Sequence, residues 1–141
     1  MNLDDIYRET ILDHNQSPRN YGHLDHPTKS AGLLNPTCGD QIQLEVTLYE
    51  GKIHDIRFSG QGCSISMASA SMLTEAVKGK TLDEAMALTS NFKTFITGGQ
   101  SSVPLGDLEA LHGVSQFPSR VKCATLAHNA FEKAMTESSD E

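Results

Sequence analysis

Cys38, Cys63 and Cys123 are the three cysteines of the chain, and each stands in its own setting: Pro36-Thr37-Cys38-Gly39-Asp40, Gly60-Gln61-Gly62-Cys63-Ser64 and Arg120-Val121-Lys122-Cys123-Ala124. An odd number leaves at least one thiol free in any disulfide scheme. Each cysteine falls where a loop meets an element predicted below, a position that carries ligands more often than core packing. Asp40, two residues after Cys38, offers a fourth donor. Three thiolates and one carboxylate complete a tetrahedral shell for zinc or for cluster iron.

Each setting has a local mechanism and a plainer alternative. Gly39 lets the backbone bend so that Cys38 and Asp40 reach one point. Taken alone, Cys-Gly-Asp equally describes a surface turn with a free thiol and a solvated carboxylate. Cys63 directly precedes a predicted helix, whose unpaired N–H groups and positive dipole end favour a thiolate. A buried cysteine packed as a small hydrophobe gives the same sequence. Arg120 and Lys122 flank Cys123 and can lower its thiol pKa or meet an anionic partner; cations on a helix surface also commonly sit in solvent. The cysteines lie 25 and 60 residues apart, so there is no Cys-x-x-Cys pair and the fold must gather them. His128, five residues after Cys123, is the nearest rival ligand but lies off its helical face. His14, His23, His26, His54 and His112 show no paired spacing and read as surface or half-buried residues. No Ser-His-Asp or phosphate-loop pattern is present, and Met67, Met72 and Met86 read as core.

The elements that must hold these residues follow from periodicity. Asn2 caps a helix predicted over residues 3–14, with Leu3, Ile6, Tyr7 and Ile11 on one face. Pro18, Gly22, Pro27 and Gly32 break up the next stretch, and residues 30–35 fit a short first strand. Ile42, Leu44, Val46 and Leu48 alternate with Gln41, Gln43, Glu45 and Thr47, the pattern of a half-buried strand. Glu50-Gly51 turns the chain into a hairpin partner over residues 52–59. Residues 64–78 fit a helix with Ile65, Ala68, Met72, Ala76 and Val77 on one stripe, ended by Gly79. Thr81-Leu82-Asp83-Glu84 is a capping box opening a helix that continues, or restarts at Ser90, to about Thr97. Residues 98–102 read as a flexible connection and 107–112 as a short helix. Residues 118–135 fit a last helix with Val121, Ala124, Ala127, Phe131 and Ala134 inward. The fold class is α+β: a small three-stranded, largely antiparallel sheet packed against helices. No repeat or linker divides residues 1–141, which read as a single domain with a mobile polar tail at 136–141.

Composition sets bounds on partners. Length suits one domain, while 38% hydrophobic residues and no tryptophan imply a modest core to which metal binding adds stability. A net charge of −7 and a pI near 5.3 argue against nucleic acid and anionic membrane as partners, because both demand basic patches. No apolar run approaches a membrane span. The opening Met1-Asn2-Leu3-Asp4-Asp5 is not a secretory signal, and free thiols suit a reducing compartment, so the expected location is cytoplasmic.

Three blocks, Asn35-Pro36-Thr37-Cys38-Gly39-Asp40, Phe58-Ser59-Gly60-Gln61-Gly62-Cys63-Ser64-Ile65-Ser66 and Arg120-Val121-Lys122-Cys123-Ala124, resemble in order the signatures of the IscU/SufU/NifU-N family of iron–sulfur cluster assembly proteins. The resemblance spans roughly residues 3–135. It implies an α+β fold with the cysteines at one exposed end, and Cys38, Asp40, Cys63 and Cys123 as ligands of zinc, iron or a [2Fe–2S] cluster. It also implies a SufS-like, pyridoxal-phosphate cysteine desulfurase as the partner that delivers persulfide sulfur, with downstream assembly or apo-acceptor proteins as recipients. Scaffold-type members carry a His directly before the third cysteine, where this chain has Lys122. They carry a Leu-Pro-Pro-Val-Lys motif read by a specialised Hsp70, where this chain has Phe117-Pro118-Ser119-Arg120-Val121-Lys122. The segment between Thr97 and Pro118 is also longer than in scaffold types. These departures resemble the SufU type and imply a zinc-dependent sulfurtransferase, with Cys38 as sulfur acceptor and Arg120 and Lys122 in support. The alternatives are a scaffold that builds and transfers [2Fe–2S], and a structural zinc module that mediates contacts. A closed four-ligand shell usually marks structural zinc, but Asp40, a hard donor among thiolates, favours a shell that opens.

Overall fold

In the computed structural model, which describes residues 3–136, helix α1 (Leu3–Gln16) leads through an irregular stretch to strand β1 (Lys29–Asn35). Strands β2 (Asp40–Tyr49) and β3 (Lys52–Gln61) follow, then helices α2 (Ser64–Val77) and α3 (Leu82–Ile96). A 3₁₀ segment (Gly106–Gln116) precedes the last helix, α4 (Pro118–Thr136). The sheet order is β1-β2-β3, antiparallel at both pairings.

Alternation along β2 places Ile42, Leu44 and Val46 at 0% exposure. A bulge opposite Thr47 and Leu48 shifts the register. The inward residues of β3 are therefore Ile53, then Ile56 and Phe58, spaced by three across the irregularity rather than by two. Glu50 and Gly51 form the hairpin turn with φ of 53° and 77°, a left-handed pair that matches strand twist.

Helix α4 lies against β1 and β2, α2 against β3 and α4, and α1 against α2. Ala68 and Ala70 on α2 and Ala124, Ala127 and Ala130 on α4 are fully buried; small side chains let packed helices approach closely. The stripe expected on α2 is only part of its buried surface. Ser66, Ser69, Ser71 and Thr74 are also at 0% exposure, because α2 is covered from several sides. Their hydroxyls have internal partners: Ser69 donates to the Ala124 carbonyl at 2.6 Å and Thr74 to that of Ser71 at 2.8 Å.

The capping box of α3 forms as expected, Thr81 Oγ1 accepting from the Glu84 N–H at 3.1 Å and Glu84 Oε1 from the Thr81 N–H at 2.9 Å. Helix α3 runs through Ser90 without a restart. The 98–102 connection is tied down rather than loose: the Gly99 N–H bonds to the Thr94 carbonyl at 2.9 Å, and the Ser102 N–H to Asn91 Oδ1 at 2.7 Å. The short helix expected at 107–112 is 3₁₀ and longer. Thr136, the first residue of the expected tail, is helical. Residues 137–141 lie outside the described residues, as does Asn2, the expected cap of α1. No described helix is long and apolar enough to cross a membrane.

Candidate metal centre

One end of the sheet gathers the reactive residues. Asn35 closes β1 and pairs with Asp40, which opens β2. The turn between them is held by the Cys38 N–H on the Asn35 carbonyl at 3.2 Å, and Gly39, at φ 71°, supplies the left-handed residue that reverses the chain. Gln41 pairs with Gln61, so β3 ends beside the same turn, and Cys63 follows as the N-cap residue of α2. A Cβ on Gly62 would lie 2.4 Å from Asp40 Oδ1 and 2.6 Å from Ser66 Oγ; only glycine lets this loop close over the carboxylate. From α4, Cys123 donates its S–H to Cys38 Sγ at 2.9 Å.

Donor atoms of Cys38, Asp40 and Cys123 all lie within 4.8 Å of one another. These are three of the four expected ligands. The fourth is anchored differently: the Cys63 N–H donates to Asp40 Oδ1 at 2.8 Å, while its thiol sits 3.8 Å from Ser66 Oγ. Asp40 is 2% exposed and Cys123 0%, whereas Cys38 and Cys63 are half-buried. Burial pushes the Cys123 thiol far above the ordinary range, helped by its bonds to Cys38, Asp40 and Cys63 and by the charge of Cys63. Arg120 and Lys122 are exposed on α4.

The donor set fits a divalent cation. A buried carboxylate here is met by two neutral donors, the Cys63 N–H and the Asn35 amide, with thiols crowded beside it. Positive charge is what such a group lacks, and metal binding supplies it while releasing the thiol protons. Sulfur with one carboxylate suits zinc or cluster iron rather than magnesium or calcium.

Sequence reasoning missed Asn35, which is 7% exposed. Its Nδ2 lies 3.4 Å from Asp40 Oδ2 and 3.8 Å from Cys123 Sγ. The available signal was parity, since Asn35 shares the β1 face of Ala31 and Leu33.

Two histidines are fully buried, and of these His14 departs from expectation. His14 is fully buried, not half-exposed. Its Nδ1 lies 2.7 Å from Ser71 Oγ and its Nε2 2.9 Å from Asp107 Oδ2. With Glu75 and Asp107 it makes a second group of metal-capable side chains within 4.8 Å. His128 is also fully buried, away from the cysteines' group, and stacks on Phe92 with ring centroids 4.2 Å apart. Neither of its ring nitrogens has a hydrogen-bond partner among the described residues. Burial, and then the charge of Lys93, push its pKa down to about 3.

Beside the centre, Ile65, Val114, Phe117 and Arg120 line an open groove of about 410 Å³. The family model described as NifU-like N terminal domain matches residues 6–138. The chain belongs to this family. Within it, the zinc-dependent sulfurtransferase SufU of Bacillus subtilis (strain 168) is 47% identical over 138 residues, covering 96% of this chain and 93% of that one. The iron–sulfur cluster assembly scaffold protein IscU of Streptococcus pyogenes serotype M1 is 44% identical, covering 98% of this chain and 87% of that one. A crystal structure assigned as a cluster-assembly scaffold for the SUF system, from Fervidobacterium islandicum AW-1, superposes with a TM-score of 0.87 at 30% identity, covering 96% of this chain and all (100%) of that one. The α+β architecture expected from the sequence is the architecture of this family.

Proposed function

We propose that the chain, acting as one domain over residues 1–141, is a zinc-dependent sulfur acceptor in iron–sulfur cluster assembly. Cys38, Asp40, Cys63 and Cys123 would hold the zinc. Its chemistry is to keep the thiols deprotonated at neutral pH. The observation that carries the reading is the pairing of a half-buried Cys38 with a fully buried Cys123, 2.9 Å apart and beside Asp40. Of this pair the accessible Cys38 is the one that can take sulfur, while the buried Cys123 holds the shell; the mobile turn, not exposure, separates Cys38 from the equally half-buried Cys63.

In this reading the Cys38 thiolate attacks the outer sulfur of a persulfide on a partner cysteine. The partner's S–S bond breaks, its cysteine leaves as thiolate, and Cys38 becomes the persulfide; the exchange needs no net electrons. The partner is a pyridoxal-phosphate cysteine desulfurase of the SufS type, and the recipients are downstream assembly or apo-acceptor proteins. Cys38 sits on a glycine-flanked turn and can swing out without unwinding a helix. Asp40, a hard donor in a soft shell, is the ligand suited to exchange. One zinc, three thiolates and one carboxylate carry a net charge of about −2, which Arg120 and Lys122 offset while offering cations to an acidic partner surface. The groove at Phe117 and Arg120 adds apolar docking area next to the reactive end.

The name of the Bacillus relative supports zinc and sulfur transfer, and so does Lys122, a cation that does not readily coordinate where scaffold types have a neutral His. The name of the Streptococcus relative supports a second reading, a scaffold that assembles and transfers [2Fe–2S]. The test is to turn over a cysteine desulfurase with zinc-loaded and with metal-free protein. Strong stimulation by the zinc form alone, lost in Cys38→Ala while docking persists, is expected. Equal stimulation by metal-free protein, or transfer to an apo-acceptor only from a brown, clustered form, would replace this reading with the scaffold.

A further inference from the structure

We propose that Asn35 is a positioning residue of the metal centre, one amide that holds the Asp40 carboxylate and the Cys123 sulfur in ligating orientation. The inference rests on the ligand reading above. Asn35 is 7% exposed, so its amide must find partners inside the protein. Its Nδ2 donates to Asp40 Oδ2 at 3.4 Å and to Cys123 Sγ at 3.8 Å, and an amide carries two N–H groups, enough for both. The backbone carbonyl of Asn35 accepts the Cys38 N–H at 3.2 Å. One residue therefore touches three of the four candidate ligands, on the β1–β2 turn, on β2 and on α4.

The arrangement does two jobs. Asp40 Oδ1 is already taken by the Cys63 N–H at 2.8 Å, so the amide on Oδ2 fixes the carboxylate plane from its other side. The N–H on Cys123 Sγ ties α4 to the sheet end and draws electron density from that sulfur. Partners that orient metal ligands from outside the shell typically change metal affinity by ~10–100-fold when removed.

The test uses the full chain with Asn35→Leu, which keeps most of the volume and deletes the amide, and Asn35→Ala as a second variant. Zinc affinity is measured by competition with a chromogenic chelator. Cobalt(II) is then substituted for zinc, and the sulfur-to-cobalt charge-transfer band is recorded. The expected result for both variants is zinc binding weakened by about 10-fold or more, with a charge-transfer band moved to lower energy because the Cys123 sulfur has lost its N–H donor. A merely structural role would lower the melting temperature of the metal-free chain without moving that band. Wild-type affinity and an unmoved band in either folded variant overturn the inference. Failure of the wild-type chain itself to bind zinc or cobalt instead sinks the ligand reading, and this inference with it.

Discussion

Two groups of metal-capable side chains, each drawn within 4.8 Å, lie among the described residues, and they differ in what completes them. Around His14 the hydrogen bonds close on themselves. With Nε2–H donated to Asp107, Nδ1 accepts from the Ser71 hydroxyl, whose oxygen takes the Arg19 N–H at 2.8 Å; the tautomer is assigned from this network. Arg19 also brings a cation to Glu75, with 3.8 Å between Nε and Oε2. Nothing in that group asks for a metal, and it pins the 3₁₀ segment to α1 and α2. At the sheet end, by contrast, a buried carboxylate and three thiols have neutral donors around them. In the first group only His14 is buried and its carboxylates reach solvent, whereas at the sheet end Asp40 and Cys123 are both buried and short of positive charge. Proximity nominates both; the satisfaction of each donor separates them.

The strongest way to break this comparison is to remove one ligand. Cys63→Ser is expected to lose zinc, and with it about 4 kcal/mol of stability if free zinc stands near a thousand times its Kd. Elemental analysis and melting curves check both; full zinc occupancy in the variant would remove Cys63 from the site. His14→Ala should act in the opposite sense. It leaves Ser71 and Asp107 without their partner and opens a cavity, so about 2–3 kcal/mol of stability should go and amide exchange across 106–116 should quicken. Zinc per chain should not change, and loss of zinc there would collapse the distinction.

His128 is a third buried polar group and has neither kind of completion. Its native pKa, about 3, lies below the unfolded value of 6.5, so the unfolded chain binds the extra proton between those limits. Its contribution is therefore complete above pH 6.5 and is lost as pH falls toward 3. Between pH 7.5 and 5.5 the loss should be on the order of 1 kcal/mol. Urea unfolding at both pH values should show that difference shrinking in His128→Phe; an identical slope in the variant would mean that His128 does not carry it. The smallest effects are expected at Arg120→Ala and Lys122→Ala, which should slow association with the desulfurase a few-fold at low salt and leave zinc content alone. Stopped-flow binding across ionic strengths separates that from any change in the centre.

What the sequence disclosed follows from how local each signal is. The β2 alternation, the Thr81–Glu84 capping box and the Glu50-Gly51 turn are written in adjacent residues, and all three form. The three cysteines could be singled out because their types and flanks carry chemistry, but their gathering depends on the register that sets Asn35 opposite Asp40 and Gln41 opposite Gln61. The sequence places His14 at the surface or half-buried, because the partners that enclose it sit 57 and 93 residues away. The buried serines of α2 were hidden for the same reason, since their covering comes from α1 and α4. Asn35 belongs to the first cysteine block, yet its role is not legible there because its partner on α4 is 88 residues distant. The sequence also does not reveal that Cys63 meets Asp40 through its backbone while its sulfur turns toward Ser66.

The most direct test combines metal content and persulfide position on one sample. Purified protein is analysed for zinc, iron and labile sulfide, then exposed to a cysteine desulfurase with its cysteine substrate and mapped by peptide mass spectrometry. The account predicts one zinc per chain, a colourless protein and one added sulfur on Cys38. Iron with labile sulfide and no added sulfur, or added sulfur confined to Cys63 or Cys123, would contradict it.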